Sequence, residues 1–133
     1  MPSLSYHTDL SISAAQLADL FTRSGINRPT EELPRMAQML QHANILVTVW
    51  DQQKLVGVAR ALSDFCYCCY LSDLAVDRAY QKTGIGKQLI KLVHELIGPR
   101  TNLLLVAAPS ATTYYPKIGF EAVPSAWVIR RTE

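Results

Sequence analysis

The chain reads as an α/β protein, a mixed sheet with helices on both faces, and three observations point there. Residues 45–50 and 55–62 are apolar, β-branched-rich runs on either side of the polar turn Asp51-Gln52-Gln53-Lys54, which is a β-hairpin pattern. Residues 65–76 and 102–108 are longer apolar runs separated by an amphipathic helical stretch at 86–97, which is a right-handed βαβ unit with parallel strands. Two further amphipathic segments precede the hairpin. The predicted order is β-α-α-β-β-β-α-β-α-β-β, and a mixed order of this kind is covered by helices on both faces.

Each element has a local reason. Leu4 to His7 alternates and predicts a first strand. Ser13 is a good N-cap for a helix to about Phe21, with Ala14, Leu17, Ala18 and Phe21 as its apolar stripe. Ser24-Gly25-Ile26-Asn27-Arg28-Pro29 is a breaker cluster. A second helix is expected from Thr30, burying Leu33, Met36, Ala37 and Leu40, with Pro34 in its tolerant first turns. Met36 and Met39 read as core. Gly57 in the returning hairpin strand marks a close approach. The runs 65–76 and 102–108 are apolar on both sides, as central strands are. Gly98-Pro99 stops the crossover helix, and Lys91 and Glu95 on it face water. Ser110 is expected to cap a short helix from Ala111 to about Lys117, with Gly119 after its end. Residues 120–123 and 127–131 read as final strands.

Composition narrows the function classes. At 133 residues, 49% of them hydrophobic, one domain with one packed core is expected over 1–133. A formal charge of +2 with scattered basic residues gives no nucleic-acid footprint. The N-terminus has no signal-peptide pattern, and no run is long enough for a membrane span. Cys66, Cys68 and Cys69 fit no zinc spacing and read as buried, reduced thiols of a cytoplasmic protein. No metal is expected.

The functional signal lies between the two parallel strands. A strand, a loop carrying Gly84 and Gly86, and a helix N-terminus present free N–H groups and a positive dipole end to an anion such as a pyrophosphate. A P-loop is excluded because Gly86-Lys87 is followed by Gln88. A dinucleotide fingerprint is excluded because Leu89 stands where its third glycine belongs. Alone, Gly-x-Gly is often only a tight connection. Here Gln81-x-x-Gly84-x-Gly86 follows Leu74-x-Val76-x-x-x-Tyr80, and Ala111-x-x-Tyr114-Tyr115-x-x-x-Gly119-Phe120 lies downstream.

Together these segments resemble the GNAT superfamily, the Gcn5-related N-acetyltransferases, strongly over 55–120 and weakly in the first two helices. The resemblance implies a mixed, mostly antiparallel sheet with a central parallel βαβ pair. It also implies an acetyl-CoA cosubstrate, its pyrophosphate on Gln81, Lys82, Thr83, Gly84, Ile85, Gly86 and Lys87, and its pantetheine arm along Leu74, Ala75 and Val76. An asparagine common in the family is replaced by Ala108, and Ser110 is its expected substitute. Tyr115 takes the place of the family's tyrosine near the CoA sulfur. A phenol can protonate a departing thiolate, although the residue could also simply pack, as Tyr114 does on this reading. An attacking ammonium must first lose a proton. Asp73 is the carboxylate nearest the loop, and the base and structural roles are equally open to it. Asp64, Glu32, His7, His42 and His94 are weaker candidates, and water is another.

The function expected is acetyl transfer to a primary amine of a small molecule or peptide. A non-catalytic acyl-CoA-binding module on the same fold is the alternative, distinguished by turnover. A homodimer is expected from the apolar C-terminal stretch Trp127-Val128-Ile129, and the acceptor is not legible.

Overall fold

A computed structural model describes residues 2–133. Five strands form one sheet in sequence order: β1 (Leu4–His7), β2 (Ile45–Asp51), β3 (Lys54–Ser63), β4 (Cys68–Val76) and β5 (Asn102–Leu105). The first four are antiparallel to their neighbours, and β5 runs parallel to β4. Helices α1 (Ala14–Ser24) and α2 (Leu33–His42) cover one face, and α3 (Ile85–Ile97) covers the other. A four-residue helix, α4 (Tyr114–Lys117), follows β5.

The local signals explain the helices. Ser13 and Gln16 close a reciprocal capping box at the start of α1, and Gly25, at φ 84°, ends it by donating to the Phe21 carbonyl at 3.1 Å. Leu17, Leu20 and Phe21 then meet Met36, Leu55, Val58 and Ala75 in one core layer. On the opposite face Ile85, Leu89, Ile90, Val93 and Ile97 of α3 pack on Ile45, Val47, Val49 and Ala59. A Cβ on Gly57 would come within 2.6 Å of Val49 and 3.3 Å of Leu89, so the glycine lets α3 settle onto the sheet.

Register matters at one place. Arg60 of β3 pairs with Asp73 of β4, but the next residue, Ala61, pairs with Leu71. Ser72 is therefore an extra residue, a β-bulge. It lets Leu71 join the α3 layer while Asp73 turns to the α1/α2 side.

Several expectations are corrected. The strand expected at 65–76 starts only at Cys68. The Asp64 carboxylate accepts from the N–H groups of Cys66, Tyr67 and Cys68 at 2.8–3.0 Å, and this turn displaces the ladder. Cys66 and Cys68 are exposed there, and Cys69 alone of the three thiols is buried. Helix α2 begins at Leu33 rather than Thr30; Met36 is buried, Leu40 half-buried, and Leu33 and Ala37 are exposed. The run 102–108 is a strand only to Leu105, and it is the marginal strand, not a doubly buried one: Leu104 and Val106 are exposed. The helix expected over 111–117 divides into a 3₁₀ turn, Pro109–Ala111, and α4; Pro116, inside α4, has no N–H to offer the Thr112 carbonyl one turn back. Residues 120–123 and 127–131 form no strands. Phe120 still packs against the α3 side of the core, but Val123, Trp127, Val128 and Ile129 are exposed and join no ladder.

Candidate active site

At the end of β4 the chain turns through a short 3₁₀ turn, Arg78–Tyr80, into the glycine loop. This corner is tied at four points. Asp77 accepts from the Ala79 N–H at 2.9 Å and from Arg23 of α1 at 2.5 Å. Burial favours its neutral form, yet these donors outweigh it and hold its carboxyl below the ordinary value. The Tyr80 hydroxyl donates to Asp51 at 2.5 Å, the Thr83 hydroxyl to the Tyr80 carbonyl at 2.5 Å, and the Gln81 amide to the carbonyls of Val76 at 2.8 Å and Ser24 at 3.2 Å. The Gln81 side chain thus braces the loop.

Lys82 and Gly84 both have positive φ, 64° and 89°. Gly84 is the N-cap of α3 and supplies no side-chain cap, so the first N–H groups of the helix stay free of side-chain partners. A Cβ on Gly86 would lie 3.6 Å from the Tyr114 hydroxyl, which places that hydroxyl beside the helix N-terminus.

The strands then part. β5 pairs with β4 from Cys68↔Asn102 to Leu71↔Leu105 and no further, while β4 runs on to Val76 against β3 alone. Leu74, Ala75 and Val76 therefore have a strand on only one side. Two cavities flank these strands. One, of about 1090 Å³, is lined by Gly84, Lys87 and Gln88 of α3, by Cys69 and Leu103, and by Gly119 and Phe120. The other, of about 690 Å³, is lined by Ser72, Asp73 and Leu74, by Ala107 and Ala108, and by Tyr115. Tyr115 lines the smaller cavity, and its neighbour Tyr114 reaches the start of α3. Ser110, in the 3₁₀ turn after β5, lines neither cavity.

Tyr115 is half-buried, with its ring edge-on to Tyr114 at 5.2 Å and to Phe120 at 5.5 Å. Burial, and to a smaller degree Tyr114, pushes its phenol above the usual value, so it stays protonated at neutral pH.

Asp73 is wholly buried, and both its oxygens are taken. Arg28 donates to Oδ1 at 2.5 Å and Arg60 donates to Oδ2. The two guanidiniums also reach the Ser72 carbonyl at 2.8 Å, the Ser72 hydroxyl at 3.0 Å and the Met39 carbonyl at 3.1 Å. The sequence did carry a signal for this cluster. Arg60 stands in the middle of an apolar strand, and a buried guanidinium needs a partner. Of the other candidates, Glu32 is exposed at the start of α2, Asp64 is the turn acceptor and is held far below the usual range by those N–H groups, and His7, His42 and His94 lie on three separate elements. None of these lines the cavity beside Tyr115.

A family model for the acetyltransferase (GNAT) domain matches residues 17–130. The chain belongs to the GNAT acetyltransferase family. It is 32% identical over 109 residues to a histone acetyltransferase of Glycine max, covering 72% of this chain and 47% of that one. The chain thus spans about half the length of that curated relative. A protein of unknown function from meticillin-resistant Staphylococcus aureus, described as a probable acetyltransferase, superposes with a TM-score of 0.83 at 21% identity over 98% of this chain and 100% of that one. An aminoglycoside N-acetyltransferase in complex with CoA superposes with a TM-score of 0.72 at 16% identity over 99% and 97% of the two chains. At these identities the structural likeness is one of fold.

The GNAT fold uses acetyl-CoA, and the loop here fits it. A helix start capped by glycine and free of capping side chains is a surface a pyrophosphate can approach closely. No group of metal-ligating side chains occurs among the described residues, and no helix among them is long and apolar enough to cross a membrane.

Proposed function

We propose that this chain transfers the acetyl group of acetyl-CoA directly to a primary amine. The observation that carries the reading is the gap between β4 and β5, whose margin lines a cavity together with Tyr115, while the glycine-capped start of α3 lies beside the neighbouring Tyr114. Acetyl-CoA supplies the activated acyl carbon as a thioester. Residues Gln81 to Lys87 hold its pyrophosphate through backbone N–H groups and the α3 dipole. The Leu74–Val76 edge of β4, unpaired on that side, hydrogen-bonds the pantetheine arm and the developing oxyanion. Ser110 supplies a contact to CoA from the neighbouring turn.

In the reaction a C–N bond forms and the C–S bond breaks. Tyr115 gives its phenolic proton to the departing sulfur, and solvent restores it. The amine's own proton leaves to water. Asp73 is the single carboxylate of that cavity, and both its oxygens already bind guanidiniums. We therefore assign it a positioning role, holding Arg28 and Arg60. Relatives named for histone and aminoglycoside acetylation support an amine acceptor. A homodimer is part of this reading, built on the free edge of β5.

The test is an acceptor panel offered with acetyl-CoA, following thiol release, alongside the melting temperature with acetyl-CoA alone. Transfer requires amine-dependent thiol release. A raised melting temperature with no release from any amine would leave a binding module instead.

A further inference from the structure

We infer that the acceptor is a small primary amine carrying at least one carboxylate or phosphate group, an inference that rests on the acetyl-transfer reading above. The cavity beside Tyr115 is lined by Arg28, Arg35, Arg60, Arg130 and Arg131, and its only carboxylate is Asp73. Glu32, just outside the lining, pairs with Arg35 at 3.4 Å. Even with Glu32 counted, five guanidiniums face two carboxylates.

The surplus is deepest where solvent is least. Asp73 is one negative charge shared by two guanidiniums, and the Arg60 side chain is only 8% exposed. A buried positive charge without full compensation favours an anion beside it, and a guanidinium fork matches carboxylate and phosphate geometry. A polycation, by contrast, would have to approach several like charges.

The pyrophosphate of acetyl-CoA does not account for these arginines. Arg60 reaches the Met39 carbonyl of α2, on the sheet face opposite α3. The pyrophosphate loop caps α3, and none of residues 81–87 lines this cavity. At about 690 Å³ the cavity has the size of a small-molecule site. It brings Tyr115 and the arginines into one lining, so an acceptor anchored there by its anionic end keeps its amine in the cavity that Tyr115 borders.

The experiment uses matched acceptors with acetyl-CoA: phosphoethanolamine against ethanolamine, β-alanine against β-alaninamide, and spermidine as a polycation. The anionic member of at least one pair should show kcat/KM about 10- to 100-fold above its neutral partner, the range for one or two charge-assisted hydrogen bonds. Which pair responds separates phosphate from carboxylate. Replacing the two exposed arginines together, R130Q/R131Q, should raise KM for the preferred anionic amine while acetyl-CoA still raises the melting temperature. Equal or better turnover of the neutral amines or spermidine overturns the inference and leaves acetyl transfer standing. If no amine releases thiol, transfer itself fails. The charge reading is then judged by melting of the CoA-loaded protein: a shift with anionic amines alone supports it, and no shift overturns it.

Discussion

Tyr115 and its neighbour Tyr114 are one residue apart and face different tasks. Tyr115 lines the smaller cavity, while the Tyr114 hydroxyl stands beside the start of α3. Tyr115→Phe keeps the ring packing on Phe120 and removes only the proton donor. We expect kcat and kcat/KM to fall together by roughly 10- to 1000-fold, with acetyl-CoA affinity retained, because the interaction strengthens as charge builds on sulfur. The parent's pH–rate profile carries a second check. A phenol donates only below its pKa, and burial raises that of Tyr115, so the loss of rate from its ionisation should come at higher pH than for a free phenol. For Tyr114→Phe, the control, the expectation is kcat and acetyl-CoA affinity both near the parent values. Rate constants and titrations on the two variants decide the assignment. Asp73 makes a third prediction. Asp73→Asn leaves Arg28 and Arg60 confronting each other inside the protein, and breaking a buried ion pair in this way costs about 3 kcal/mol. A denaturant titration should show a lower midpoint at unchanged slope. Sequence alone could not choose between base and brace for this aspartate, because the choice depends on Arg28, which reaches it from 45 positions away.

At the scale of elements, the proposed pyrophosphate site is α3 with the loop before it. Gly84→Val forces a β-branched side chain into φ 89°, a conformation open mainly to glycine, exactly at the point where the helix start must stay bare. The folded variant should lose most of the melting-temperature rise that acetyl-CoA gives the parent. A full rise would place the pyrophosphate elsewhere. This element was also the most legible. The apolar positions of α3 repeat at helical spacing, Gly84 and Gly98 bound it, and its buried face is the one that spacing selects. The hairpin β2–β3 was readable for the same reason, since period and turn composition agree. Elements whose limits depend on distant partners were not. Phe65 and Tyr67 look like strand residues, but the Asp64 carboxylate collects the N–H groups that a ladder would have used. Leu103 to Val106 looks like a strand buried on both faces, but whether it is covered depends on what lies beyond it in the sheet, and composition does not record that.

The whole molecule follows from that open margin. Among the described residues β5 is the last strand of the sheet, only Asn102–Leu105 long, with β4 on one side and no strand on the other. Leu104 within it is 43% exposed and Val106 just after it 73%, and the C-terminal stretch adds Trp127 at 93% and Ile129 at 100%. An unpaired strand edge with apolar side chains around it favours association, and a second copy related by a two-fold axis covers both edges with one self-complementary patch. Light scattering at micromolar concentration should therefore give twice the chain mass of 14.8 kDa. A charge placed in that patch would meet its own copy across the axis, so Val106→Lys with Trp127→Lys should shift the mass toward the monomer. Both positions are exposed in the single chain, and the melting temperature of the resulting monomer should stay close to what the parent shows on dilution. A parent that scatters as a monomer refutes the dimer. A double variant that remains dimeric moves the interface away from β5.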